Sequence, residues 1–158
     1  MELKTTLVVL HVVASVFFLG NIIFAFFWKI TANKNGRTQV LVYAQKQLAW
    51  TDGIFTTTST TVIAITGYSL AKLAGINVAT VSWLLWSQIF FYGSAAIWLL
   101  LLAPIQVMQL SLLKNLSADD AVPEKYWSLA KKWNVLWIIA TILPLLAYVL
   151  MVVKPMSL

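Results

Sequence analysis

Long apolar segments separated by short polar connections make up most of this chain. Four segments are long enough to cross roughly 30 Å of hydrocarbon at about 1.5 Å per residue. They are residues 5–30, 54–73, 81–112 and 133–153. Because these segments alternate with short connections, the pattern predicts an all-α protein, an antiparallel four-helix transmembrane bundle in up-down-up-down order. The spans leave no room for a second soluble domain, so we expect residues 1–158 to form a single integral membrane domain.

Prolines and connecting residues predict where the helices are interrupted or extended. Pro104 should free the carbonyl near Leu100 and bend the third span, and Pro144 should do the same near Ala140 in the fourth. Residues 36–50 predict a helix that either lies on the membrane surface or extends the second span. Pro123 predicts the start of a helix that runs into the fourth span.

Composition supports the membrane assignment, since 61% of the residues are hydrophobic and only 10% are charged. The formal charge of +6 does not indicate nucleic-acid binding, because the lysines and arginines gather in two loops. Membrane orientation and anionic lipid explain that clustering, and the lipid bilayer is the expected partner. The positive-inside rule places both loops in the cytoplasm and both termini outside. The absence of cysteine excludes disulfides, thiolate catalysis and thiolate-ligated haem.

His11 is the only histidine, and it lies within the first predicted span. Ionisable groups in hydrocarbon are costly and are functional candidates by default. One interpretation is a neutral imidazole that donates a hydrogen bond to another helix, and the other is a metal or haem ligand. Ser15, one turn away, permits the close approach of a helix or a flat ligand. Gln88 and Tyr92 share a face of the third span and either bond an adjacent helix or orient His11.

A second group of polar residues is predicted where the spans meet the cytoplasmic interface. Asp52 is the nearest acid for several cations there, so the group is either an ion pair that locks helix ends or a substrate site. Its members are Lys29, Asp52, Lys131, Lys132 and Asn134. The hydroxyl run at residues 56–61 either bonds back to its own helix or lines a polar path. A pair of intramembrane carboxylates, which a proton-coupled transporter would need, is missing.

The chain resembles two groups of membrane proteins. Residues 10–21, with His11 and Gly20, resemble a first-helix pattern of small bacterial membrane proteins in a CopD-like grouping. That grouping includes CopD-type copper-resistance proteins and HemJ-type protoporphyrinogen oxidases. Gly20-Asn21 and residues 131–134 and 148–155 resemble, over nearly the whole chain, a family of uncharacterised four-helix integral membrane proteins.

The wider resemblance implies haem b in the bundle, ligated by His11, in a bacterial inner membrane. One histidine cannot supply both axial ligands within a chain, so three schemes stay open. The haem is five-coordinate, or a methionine or lysine is the sixth ligand, or a homodimer shares one haem between two His11 residues. Redox or haem-related chemistry is then the leading hypothesis, whether enzymatic or not. The alternatives are a scaffold or accessory subunit with a structural His11, and a small-molecule transporter.

Overall fold

Helices account for nearly all of the computed structural model, which describes residues 2–117 and 120–155. Two π-helical turns, Asp52–Thr56 and Trp98–Leu102, join α2 to α3 and α4 to α5 without a break. Over the described ranges the chain contains no strand, which confirms the all-helical prediction. The helices are α1 (Leu3–Asn35), α2 (Thr38–Thr51), α3 (Thr57–Leu73), α4 (Ser82–Ile97), α5 (Ala103–Leu113) and α6 (Glu124–Val153).

Three helical stretches are long and apolar enough to cross a membrane, and they correspond to the first, third and fourth predicted spans. These are Leu3–Asn35, Ser82–Leu113 and Glu124–Val153. The predicted second span, residues 54–73, is not among them. Its helix α3 has 17 residues and so extends only about 26 Å, and it begins inside the hydroxyl run. Membrane-spanning length and composition are therefore confirmed for three of the four predicted spans.

Several predicted details of the helices are confirmed. The π-helical turn at Trp98–Leu102 lies directly before Pro104, where the freed carbonyl was expected. α2 continues through a π-helical turn into α3, so residues 36–50 extend that helix. α6 begins at Glu124, immediately after Pro123.

Packing is organised around two helix pairs, α1 with α3 and α4 with α6, with α2 and α5 beside them. One buried cluster lies where the end of α1, α2, the end of α5 and the start of α6 meet, around Leu41 and Tyr126. A second is built from Leu102, Trp133 and Ala140. Large apolar side chains cover the outside of the molecule, Phe24 and Leu100 among them. This distribution suits a protein whose solvent is lipid, because the apolar outer surface meets hydrocarbon.

Candidate functional site

His11 lies on the side of α1 that faces α3, and its ring is half-buried. Its Nδ1 atom is 2.9 Å from the hydroxyl oxygen of Thr66. The next residue on α3 is Gly67, where an added Cβ would lie 3.1 Å from Cε1 of His11. The glycine therefore gives the imidazole the room it needs to pack against α3.

The hydrogen bonds of Thr66 favour one of the two neutral tautomers of His11. A threonine hydroxyl has a single proton, and Thr66 donates it to the carbonyl of Val62 at 2.5 Å. With that proton engaged, the oxygen is placed to accept from His11, an arrangement that favours the tautomer with the proton on Nδ1. In that tautomer Nε2 carries a lone pair that does not take part in the contact with Thr66. His11 therefore makes the contact with another helix that was predicted for a structural imidazole, and the same contact orients its ring.

The other residues predicted around His11 do not orient its ring. Ser15 donates to the backbone carbonyl of His11 at 2.8 Å, within α1. Gln88 makes a long 3.5 Å contact with the carbonyl of Leu84 on its own helix. Tyr92 is exposed. The role suggested for Gln88 and Tyr92 falls instead to Thr66, a residue that sequence reasoning missed because α3 contains many hydroxyls and nothing marks this one.

Asp52 begins the first π-helical turn and is buried with only 7% of its surface exposed. Its Oδ1 accepts hydrogen bonds from the side-chain amide of Asn21 at 3.1 Å and from the Thr56 hydroxyl at 3.2 Å. Its Oδ2 accepts from the side-chain amide of Gln106 at 3.3 Å. All three donors are uncharged. The carboxylate is therefore stabilised in these contacts by neutral hydrogen-bond donors and not by a cation.

Lys29 is also buried, with 1% of its surface exposed. Its Nζ donates to Oε1 of Gln109 at 2.6 Å and lies 4.2 Å from the centre of the Trp133 ring. The same Oε1 accepts from Gln45 at 3.1 Å. The ammonium is therefore stabilised by an amide oxygen and an aromatic face.

Of the two interpretations of this group, an ion pair that locks helix ends is not formed between Asp52 and Lys29. The reason is that α5 presents two glutamines, Gln106 and Gln109, and each binds one of the charged groups. The rest of the predicted cluster does not join them. Lys131 and Lys132 lie outside these contacts, and Asn134 is partly buried with its Oδ1 unpaired.

A cavity of about 290 Å³ lies beside Asp52. Both π-helical turns contribute to its wall, through Asp52 and Thr56 on one side and Trp98 on the other. The hydroxyl run lines it too, although Thr60 bonds back to the carbonyl of Thr56 at 2.6 Å as expected. Bonding to the helix and lining a cavity are therefore compatible roles for these hydroxyls. His11 is not part of this wall, so the molecule has two separate candidate sites.

The donors available for a metal are few. The described residues contain no group of three or more histidine, cysteine, aspartate or glutamate side chains placed to hold a metal ion. An ion or a haem iron at His11 would therefore take one ligand from this imidazole and the others from the cofactor, a second chain or a different residue type.

The apolar exterior, the three membrane-length helices and the polar groups enclosed between helices define a helical integral membrane protein. Residues 5–155 match the family of predicted integral membrane proteins DUF2269. The chain belongs to this family, whose function is unknown. The finding confirms the closer of the two resemblances seen in the sequence. No curated protein and no solved structure matches the chain.

Proposed function

We propose that this protein is a bacterial inner-membrane four-helix bundle that binds haem b or a porphyrin through His11, for redox or haem-related chemistry. The observation that carries the proposal is the pairing of His11 Nδ1 with Thr66, which leaves the lone pair of Nε2 free. Metal-ligating histidines almost always donate their other ring N–H to a fixed acceptor, which sets the tautomer and the ring orientation. The donor chemistry of His11 and Thr66 therefore fits an axial ligand.

Interhelical contacts support the antiparallel up-down-up-down arrangement. His11 contacts Thr66 on α3. Asn21, which lies later on α1, contacts Thr56, which lies earlier in the chain, in the π-helical turn before α3. Residue numbers therefore rise on one helix as they fall on its neighbour. α4 and α6 follow the same rule, since Ser87 contacts the carbonyl of Ala147 and Ser94 contacts that of Ala140. In this arrangement the continuous helix formed by α2 and α3 is the second of four spans in a single domain over residues 1–158.

Contacts between the two basic loops support the orientation. The Thr38 hydroxyl donates to the carbonyl of Asp120 at 3.3 Å, and the Tyr126 hydroxyl donates to Asn33 at 2.8 Å. The first and third connections are thus joined at one end of the molecule. The positive-inside rule then favours a cytoplasmic position for this end and an outer position for both termini.

When bound, haem supplies electron transfer if both axial positions are filled, and binding of small gases if one is open. The role of this protein would be to present Nε2 of His11 to the haem and to orient the imidazole ring through Thr66. Haem bound here would leave one coordination position open, or would take a further ligand from a methionine or lysine or from His11 of a second copy in a homodimer.

The test is the ultraviolet-visible spectrum of detergent-purified protein, with and without added haem, in oxidised and dithionite-reduced forms. We expect a Soret band that shifts on reduction in the wild type and disappears in His11→Ala. Thr66→Val should keep the band but weaken haem affinity by about 10- to 100-fold, the usual effect of removing a group that orients a metal ligand. Thr61→Val, which removes an exposed hydroxyl of the same helix, is the matched control and should leave the spectrum unchanged.

Two results would contradict haem binding at His11. A wild type that stays colourless after haem addition would indicate a scaffold or accessory subunit in which His11 is structural. A spectrum that is the same in the wild type and in His11→Ala would show that haem binds elsewhere.

Transport of a small molecule is the second candidate function. The specific observation that favours it is the meeting of two π-helical turns at one cavity, Asp52–Thr56 and Trp98–Leu102. Single π-helical turns are frequent at functional sites, and a polar cavity between helices at two such turns suits the binding step of transport. Uptake of a candidate substrate into proteoliposomes, compared with empty liposomes, tests this function.

A further inference from the structure

Asp52 is a buried carboxylate whose hydrogen-bond partners are all neutral. It borders the cavity, and its donors are Asn21, Thr56 and Gln106. Lys29 is close enough to attract Asp52 electrostatically, but its ammonium binds Gln109 and the Trp133 ring and makes no ion pair with the carboxylate. Buried charges are normally paired because an unpaired one loses its hydration without replacement. A cation that enters the cavity would complete this site.

Aromatic rings form much of the remaining wall. The lining includes Phe18, Phe91, Trp98, Trp133 and Trp137. Aromatic faces attract cations and also bury apolar surface, and tryptophan is the best of them at both. A cavity with one carboxylate and several aromatic walls therefore favours a ligand that has a cationic group on an apolar body.

Two further polar groups in the wall lack partners. Trp133 is 1% exposed and its Nε1–H has no acceptor among the described residues, where the hydroxyl of Thr141 also has no partner. Both residues line the cavity. Their polar atoms are themselves buried, so the open part of the cavity presents Asp52 and the aromatic faces rather than these two groups. The two π-helical turns beside the cavity support a binding role, because such turns are frequent at functional sites.

We propose that the cavity beside Asp52 binds a small organic cation, a protonated amine on an aromatic or apolar body. The ammonium group contacts the Asp52 carboxylate, and the body packs between the aromatic rings. This site is independent of haem binding, because His11 does not line the cavity. The proposal names a substrate class for the transport hypothesis. It holds equally if the protein binds the cation without transporting it.

The experiment measures binding of two matched probes to the full chain in detergent by isothermal titration calorimetry at neutral pH. Phenethylamine is cationic under these conditions, and 2-phenylethanol is its neutral analogue of similar size. We expect the wild type to bind the amine about tenfold or more tightly than the alcohol, because the buried carboxylate and aromatic faces favour the charged probe. Asp52→Asn should remove that preference. Glu124→Gln, which neutralises an exposed carboxylate, should keep it.

Three further measurements keep the test decisive if Asp52→Asn does not fold. The wild-type comparison of amine and alcohol needs no variant. Ala95→Leu fills part of the cavity and leaves Asp52 in place, so it should weaken binding of both probes. His11→Ala should leave amine binding unchanged, which separates this site from the proposed haem site.

Three outcomes would overturn the proposal. Equal affinity for both probes would indicate an apolar cavity of the kind that takes a lipid chain. A preference for the amine that survives in Asp52→Asn would place the cation at another site. If neither probe binds, the cavity does not accept this class of ligand.

Discussion

The hydroxyl of Ser94 on α4 donates a hydrogen bond to the backbone carbonyl of Ala140 on α6, 2.5 Å away. This carbonyl has lost its partner within the helix, because residue 144 is proline and has no N–H. Both residues are buried. The bond therefore joins α4 to α6 at a backbone carbonyl that has no hydrogen-bond donor within α6.

Replacing Ser94 by alanine should lower the free energy of unfolding by about 1–2 kcal/mol, because a buried carbonyl is left unsatisfied. In a Pro144→Ala background the new N–H of residue 144 can satisfy Ala140, so the same replacement should cost less. Thermal unfolding of the wild type, the two single variants and the double variant in detergent gives the coupling energy between the two sites. Ser87→Ala is the control, since Ser87 is 3.4 Å from a carbonyl that no proline has freed. An equal cost of Ser94→Ala in both backgrounds would contradict this explanation.

Lys29 and Gln109 form a buried pair in which the two partners should differ sharply in their response to substitution. Gln109→Leu leaves the Lys29 amine without its hydrogen-bond acceptor and should lower the free energy of unfolding by about 1–3 kcal/mol. Lys29→Met removes the charge and keeps the length of the side chain, so its cost should be much smaller. Gln109 would still accept from Gln45.

The double variant Lys29→Met/Gln109→Leu checks the cause. It should be more stable than Gln109→Leu alone, because the unpaired charge has gone. Chemical denaturation in mixed micelles measures all three. If the double variant is less stable than Gln109→Leu, the loss does not come from a stranded charge.

Gly67 and Gly93 are both helical glycines with different surroundings. At Gly67 an added Cβ would meet Cε1 of His11 at 3.1 Å, whereas at Gly93 it would meet Leu143 at an ordinary 3.8 Å. Alanine is favoured over glycine in a helix by about 1 kcal/mol, so Gly93→Ala should stabilise the protein. Gly67→Ala should lose that gain or destabilise, and should disturb any spectrum that depends on His11.

Melting temperatures of the two glycine variants test this contrast. His11→Ala combined with Gly67→Ala serves as the control, since it removes the neighbour and should restore the helix gain. Equal stabilisation by Gly67→Ala and Gly93→Ala would show that the imidazole is not held tightly against α3.

Sequence reasoning succeeded where the cause is local. Pro104 and Pro144 each free a carbonyl one turn earlier because a proline has no N–H, whatever surrounds it. Sequence reasoning did not find Thr66, because no nearby residue distinguishes it from the other threonines of α3. Only the packing of α1 on α3 brings Thr66 to His11. It also failed for the pairing of Lys29, because Gln109 is eighty residues away and nothing near either residue links the two.

The order of residues is enough to establish a helical membrane protein, because apolar segments of that length must satisfy their backbone groups internally and can only do so in lipid as helices. It is also enough to establish that His11 is the only imidazole available for chemistry. Which polar groups meet is a property of the tertiary structure. Hydrogen bonds between residues far apart in the chain depend on how helices pack, so the tautomer of His11, the neutral contacts of Asp52 and the cavity beside it follow from the fold alone.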